Sequence, residues 1–186
     1  MGRDKGLTPF LGVPLALHVA RRLEHLADEV WVTTNHPDEY AVLGLQMMSD
    51  LAPGRGALGG LYTALSAAQY PIVAVVACDM PFASPEIIAA ARNILETGYD
   101  AVVPKTARGA EPFHAVYRRE TCLPAIQESL EGNAWRADSW YPQVRIQYFP
   151  QEEMRRLDPR GLAFLNVNDP EELAQAEKMA REMQDG

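Results

Sequence analysis

The period of apolar residues changes repeatedly along the chain, and the changes mark out alternating helices and strands. Val13, Leu17, Ala20 and Leu23 share one helical face, predicting a helix from residue 14 to about 27. Pro14 suits its first turn, where a missing N–H costs nothing. Glu29-Val30-Trp31-Val32-Thr33-Thr34 is short and β-rich and predicts a parallel strand, with Asn35 just beyond it. Residues 37–43 predict a short helix, and 45–49 a strand ending at Asp50. A glycine-rich loop, Pro53-Gly54-Arg55-Gly56-Ala57-Leu58-Gly59-Gly60, precedes a small-residue helix over 61–68. Residues 70–77 are nearly all apolar, as in a strand buried on both faces, and end in Cys78-Asp79-Met80-Pro81.

Ser84-Pro85-Glu86 caps and opens a helix to about residue 96, and Gly98 marks its end. Strands over 100–104 and 114–117, with a loop between them, lead to a helix over 120–130. Residues 132–142 are the least regular stretch and predict a surface loop. An alternating strand over 144–149 and a last strand over 164–168 follow, then a helix opened by Asp169-Pro170-Glu171 and running to about 183. No repeat, low-complexity segment or linker divides residues 1–186, so one α/β domain is expected. The alternation predicts three layers: a mostly parallel sheet with helices on both faces and right-handed crossovers. Ligands in such folds gather at the C-terminal ends of strands, which singles out Asn35, Asp50, Asp79 and Asn168.

Composition narrows the function classes. The 186 residues carry 17 Lys plus Arg against 25 Asp plus Glu, a net charge of −8. That balance argues against nonspecific nucleic-acid or anionic-membrane binding, but not against a small anion held by a few donors. The hydrophobic fraction, 47%, suits a globular core. No apolar run reaches the roughly 18 residues of a membrane span, and no secretory signal is expected. Cys78 and Cys122 have neither disulfide nor metal-ligand spacing, so a reducing, cytoplasmic setting is the expectation.

Asp79, after an apolar strand with no adjacent cation, suits Mg²⁺, a hard ion that prefers oxygen ligands; a turn or helix-capping aspartate reads the same way. The glycine-rich loop offers backbone N–H groups and the Arg55 charge to an anion, or merely makes a turn; it is not a Walker A loop. Arg3 and Lys5 are loop-borne cations, able to meet phosphate or simply solvated. Asn166 and Asn168 share one face of an extended strand, and either Asn168 or Asp169 caps the last helix. His18 and His25 read as structural or exposed. Glu111-Pro112-Phe113-His114 does not read as a zinc site, and no catalytic Ser/His/Asp order emerges.

Taken together, several ordered motifs resemble the molybdenum cofactor guanylyltransferases, the MobA-like nucleotidyltransferases. They are Met1-Gly2-Arg3-Asp4-Lys5-Gly6-Leu7 through Gly12-Val13-Pro14-Leu15, then Asn35, Ser49-Asp50 and the loop from Gly54 to Gly60. Cys78-Asp79-Met80-Pro81-Phe82, Glu111-Pro112-Phe113-His114-Ala115 and Phe164-Leu165-Asn166-Val167-Asn168-Asp169-Pro170-Glu171-Glu172-Leu173 continue it. The resemblance implies a Rossmann-like nucleotidyltransferase fold that transfers GMP from GTP to Mo-molybdopterin with Mg²⁺, releasing pyrophosphate. It implies Lys5 on the triphosphate, Arg3 and Arg55 among the nucleotide-binding cations, and Asn35 and Asp50 at the guanine or ribose end. Asp79 would ligate Mg²⁺, and Asn166 and Asn168 would line the molybdopterin side. Implied partners are other proteins of molybdenum cofactor biosynthesis or molybdoenzyme maturation. Members of the family begin with an apolar strand and a glycine-rich turn that are absent ahead of Met1 here, so a sheet lacking its first strand is expected. Other readings are cytidylyl transfer, nucleotidyl transfer to a sugar or polyol phosphate, and a catalytically silent nucleotide- or cofactor-binding protein.

Overall fold

The computed structural model describes residues 4–184. A one-turn 3-10 helix, Lys5–Leu7, leads into a hairpin, β1 (Pro9–Phe10) and β2 (Val13–Pro14), and helix α1 (Leu15–Leu23). Then come β3 (Trp31–Thr33), α2 (Pro37–Tyr40), β4 (Gln46–Met48), α3 (Gly56–Ala67), β5 (Ile72–Val76) and α4 (Pro85–Glu96). The second half holds β6 (Ala101–Val103), β7 (Lys105–Thr106), β8 (Gly109–Ala110), β9 (His114–Arg118) and α5 (Arg119–Glu131). It closes with β10 (Ile146–Tyr148), α6 (Gln151–Leu157) and α7 (Pro170–Gln184).

The central sheet has four strands in the order β10-β6-β9-β5. Period-two alternation divides its side chains between two cores. Ala101, Val103, Ala115 and Tyr117 pack with α3 and α5 on one side. Val102 and Val116 pack with α4 on the other. The three layers and the helices on both faces are therefore as expected from the sequence.

The expectation of a mostly parallel sheet is corrected. β10 and β6 run parallel, but β9 is antiparallel to both β6 and β5. A parallel return needs a long crossover, usually a helix. Residues 104–113 carry none; they form the hairpin β7–β8 instead, so β9 comes back antiparallel.

Three local expectations are also corrected. β5 is not buried on both faces: only Val75 is buried, Ala74 is exposed, and β5 is an edge strand of its sheet. β3 and β4 form a separate parallel pair, so among the described residues β3 and β5 each have one unpaired edge. Residues 56–60 of the glycine-rich loop are helical, the first turn and more of α3. Gly59 is required there, because a Cβ would sit 2.6 Å from the Ala52 carbonyl oxygen. Finally, residues 164–168 are not a strand. The Asp158 carboxylate accepts from Leu162 N (3.1 Å) and Ala163 N (2.7 Å), and Leu165 N donates to Leu162 O, which turns the chain before it can extend.

Candidate functional site

Asp79 lies three residues beyond the last residue of β5, as the strand-end rule requires. Its backbone carbonyl accepts from Val167 N at 2.9 Å, which draws the segment carrying Asn166 and Asn168 alongside. Its carboxylate is partly desolvated. That burial raises its pKa, and the nearby Lys5 ammonium opposes the rise.

Lys5 is presented by the 3-10 turn, and the turn is built by Asp4. The Asp4 carboxylate accepts from Gly6 N at 3.0 Å and from the Tyr40 hydroxyl at 2.5 Å. A Cβ at Gly6 would collide with that same hydroxyl, so any side chain there would displace Tyr40 and its bond to Asp4. Lys5 Nζ donates to Asn168 Oδ1 at 2.9 Å. Asn168 is free to accept because Asp169 caps α7, taking Glu171 N and Glu172 N at 2.9 Å each. The capping alternative left open by the sequence thus resolves to Asp169. Asn166 Oδ1 is buried with no hydrogen-bond partner.

Asn35 and Asp50 form a second group at the ends of β3 and β4. Asn35 Oδ1 accepts from Asp50 N at 3.0 Å. Asp50 Oδ1 accepts from Ala52 N at 2.9 Å and lies 3.1 Å from the Thr63 hydroxyl, which shares its one proton with Gly59 O. These groups border a polar hollow of about 270 Å³, lined by Asp4, Thr33, Thr34, Asn35, Asp50 and Thr63 among others. Asp4 touches both halves, since it also builds the Lys5 turn.

Lys5, Asp79, Asn166 and Asn168 are therefore brought together, with Asn35 and Asp50 on the hollow next to them. Arg55 turns elsewhere. Its Nη1 donates to Asn133 Oδ1 at 3.0 Å, and its guanidinium lies over the exposed Trp135 ring, 5.3 Å from the centroid. Arg3 lies outside the described residues. Asp4, Tyr40 and Thr63 were not singled out by sequence. The signal available was Thr63 itself, a hydroxyl one turn after Gly59-Gly60 near the start of a helix rich in small residues.

The donor set fits one kind of metal site only. Among the described residues no three His, Cys, Asp or Glu side chains group to hold an ion. Asp79 supplies a single half-buried carboxylate. Mg²⁺ commonly binds through one or two carboxylates, several waters and substrate phosphates, and one carboxylate beside a phosphate-seeking lysine suits that mode.

An α/β sheet with helices on both faces and polar side chains collected beyond its strand ends is the layout of a ligand-binding α/β domain. The model of the MobA-like NTP transferase domain matches residues 1–144. A probable molybdenum cofactor guanylyltransferase of Pelotomaculum thermopropionicum is 36% identical over 188 residues, covering 100% of this chain and 90% of that one. The chain belongs to the MobA-like NTP transferase family. Among solved structures it is similar to molybdopterin-guanine dinucleotide biosynthesis protein A of Archaeoglobus fulgidus (TM-score 0.81, 22% identity, 97% and 92% of the two chains covered). The fold also resembles 2-C-methyl-D-erythritol 4-phosphate cytidylyltransferase of Thermus thermophilus (TM-score 0.68, 17% identity, 95% and 94% covered). No described helix is long and apolar enough to cross a membrane.

Proposed function

We propose that the chain, acting as one catalytic domain, transfers GMP from GTP to Mo-molybdopterin and releases pyrophosphate. The observation that carries this reading is the convergence of Lys5, Asp79 and Asn168 beside the hollow edged by Asn35 and Asp50. The hollow takes the nucleoside end of GTP, with the Asp50 and Asn35 side chains at its base or ribose. Lys5 holds the triphosphate, exchanging its Asn168 contact for phosphate oxygens, and offsets charge on the departing pyrophosphate. Asn168 faces the acceptor, with Asn166 beside it; the buried Asn166 Oδ1, unpaired here, would reach a donor on that substrate only if its segment shifted.

A phosphate oxygen of the acceptor attacks the α-phosphorus of GTP. The new P–O bond forms as the bond from that phosphorus to the bridging oxygen breaks, and pyrophosphate leaves with the electron pair. No protein nucleophile is needed, so the chain contributes position and charge. Asp79 would hold Mg²⁺, which when bound neutralises phosphate charge.

The test is pyrophosphate release with Mo-molybdopterin and either GTP or CTP. Turnover with GTP at least about tenfold above CTP is expected, a discrimination of roughly 1.4 kcal/mol. A preference for CTP would replace this reading with cytidylyl transfer. Release with neither nucleotide would leave a silent binding protein.

A further inference from the structure

The segment that carries Asp79 has little structure of its own. Between the end of β5 and the start of α4 its internal bonds are two turns, Met80 N to Ala77 O (3.3 Å) and Ala83 N to Met80 O (3.0 Å). Yet Met80, Pro81, Phe82 and Ala83 are all buried. Two side chains of α1, one turn apart, reach across to its carbonyls. His18 Nε2 lies 2.9 Å from Pro81 O, and Arg22 Nε donates to Ala83 O at 3.0 Å. A carbonyl only accepts, so His18 carries a hydrogen on Nε2 in either protonation state. The His18 ring is itself fixed edge-on to Phe10, which meets Phe82 in the same way.

The same helix is tied to the Lys5 turn. Leu15 N, at the first residue of α1, donates to Thr8 O at 3.0 Å. Leu7 of the turn and Ala16 of the helix share one small apolar cluster. One end of α1 therefore holds the ammonium-bearing turn, and its flank holds the carboxylate-bearing loop.

We propose that His18 and Arg22 are positioning residues that fix the Asp79 loop against α1 and so set the spacing between Asp79 and Lys5. The inference rests on Asp79 being the Mg²⁺-binding carboxylate. Neither side chain touches substrate; each acts through the backbone of the loop. Misplacement by about 1 Å at a reacting centre costs on the order of 100-fold in rate, so a loosened loop is expected to be visible in catalysis.

The test uses His18→Leu, His18→Gln and Arg22→Met in the full chain, with wild type beside them. Amide exchange of residues 78–84 reports the loop without any ligand, because local opening sets the exchange rate. Mn²⁺ affinity in the presence of GTP, read by electron paramagnetic resonance, reports the carboxylate. His18→Leu is expected to speed exchange in residues 78–84 about tenfold while leaving β9 unchanged. It should weaken Mn²⁺ binding about tenfold and lower kcat by about tenfold or more, with KM for GTP within about twofold. His18→Gln, which restores an N–H donor, should recover most of each loss. Unchanged loop exchange in both His18→Leu and Arg22→Met overturns the brace. So does faster exchange with Mn²⁺ affinity and kcat intact, or a glutamine variant no better than leucine. Wild-type protein that binds no Mn²⁺–GTP overturns the reading of Asp79 instead, and with it the metal part of this inference, while loop exchange still decides the brace.

Discussion

The central sheet and the β3–β4 pair are built from similar residues and end up in different states. Every residue of β6, and His114 through Tyr117 of β9, is buried. No residue of β3 or β4 is; Trp31, Val32, Met47 and Met48 are half-buried, and Thr33 and Gln46 are exposed. The difference lies in neighbours. β6 and β9 have a partner on each edge and a helix layer on each face, whereas two strands alone are marginal. Asp79 follows β5, the edge strand of the firmer sheet, and Asn35 and Asp50 follow the looser pair, so the proposed phosphate and base contacts rest on two separate sheets.

The largest expected effect is at the firm side. Asp79→Asn should lower the proposed GMP transfer at least about 100-fold across a magnesium titration, with folding nearly intact, because it removes charge and keeps shape. Equal turnover would remove Asp79 from the chemistry.

Cavity-forming substitutions test the comparison itself. Leu95→Ala, in the core between α4 and the sheet, is expected to cost about 2–5 kcal/mol in urea unfolding. Met47→Ala, beside β3, should cost less than about 1 kcal/mol. Equal costs would mean that the two regions unfold as one equally packed unit.

Acid should strike the firm sheet first. His114 is fully buried on β9 and accepts from Ser84 N at 3.0 Å, and desolvation lowers its pKa to about 4. The unfolded state, with an ordinary histidine near 6.5, binds more protons between these values, so stability falls as pH falls through the window. Up to roughly 3 kcal/mol is at stake, complete above pH 6.5 and lost towards pH 4. Melting temperature against pH at fixed ionic strength checks the sign; a flat profile from pH 7 to about 4.5 would contradict it.

An added strand would blur the comparison. Among the described residues, β3 and β5 each carry an unpaired edge to which a further strand could add. An apolar strand and glycine-rich turn placed upstream of Met1 should raise the melting temperature by about 5 °C and tighten GTP–Mg²⁺ binding. No change in either would show that this slot does not belong to the working fold.

Most helices and strands were legible because their signals are local: an apolar stripe, a proline at a first turn, a glycine at an end. What the sequence did not show were the features decided at long range. The reversal of β9 hangs on a ten-residue stretch lacking helix signals, and the hairpin that does it is four paired residues, Lys105, Thr106, Gly109 and Ala110. Ala74 is exposed on β5, which among the described residues is an edge strand, and an apolar run does not reveal that. Asn166-Val167-Asn168 alternates like a strand, but the Asp158 cap lies upstream of any window that would read it. In the site, the strand-end rule located Asn35, Asp50 and Asp79. Lys5 meets Asn168 across nearly the whole chain, and the His18 and Arg22 contacts look on paper like ordinary helix surface.

The contact of Arg55 with Trp135 has an optical consequence. Trp140 is fully buried, Trp31 is half-buried, and Trp135 is 59% exposed with a guanidinium over its face. The three indoles thus emit from a dry core, an intermediate setting and a wet surface, the last being the reddest and the most open to quenchers in solution. Arg55 sits where the chain enters α3, the helix that supplies Thr63 to the polar hollow. Any shift of that helix start relative to the loop of Asn133 and Trp135 moves a cation across the one indole most responsive to it. The protein carries its own fluorophore at the rim of the loop, with no label needed.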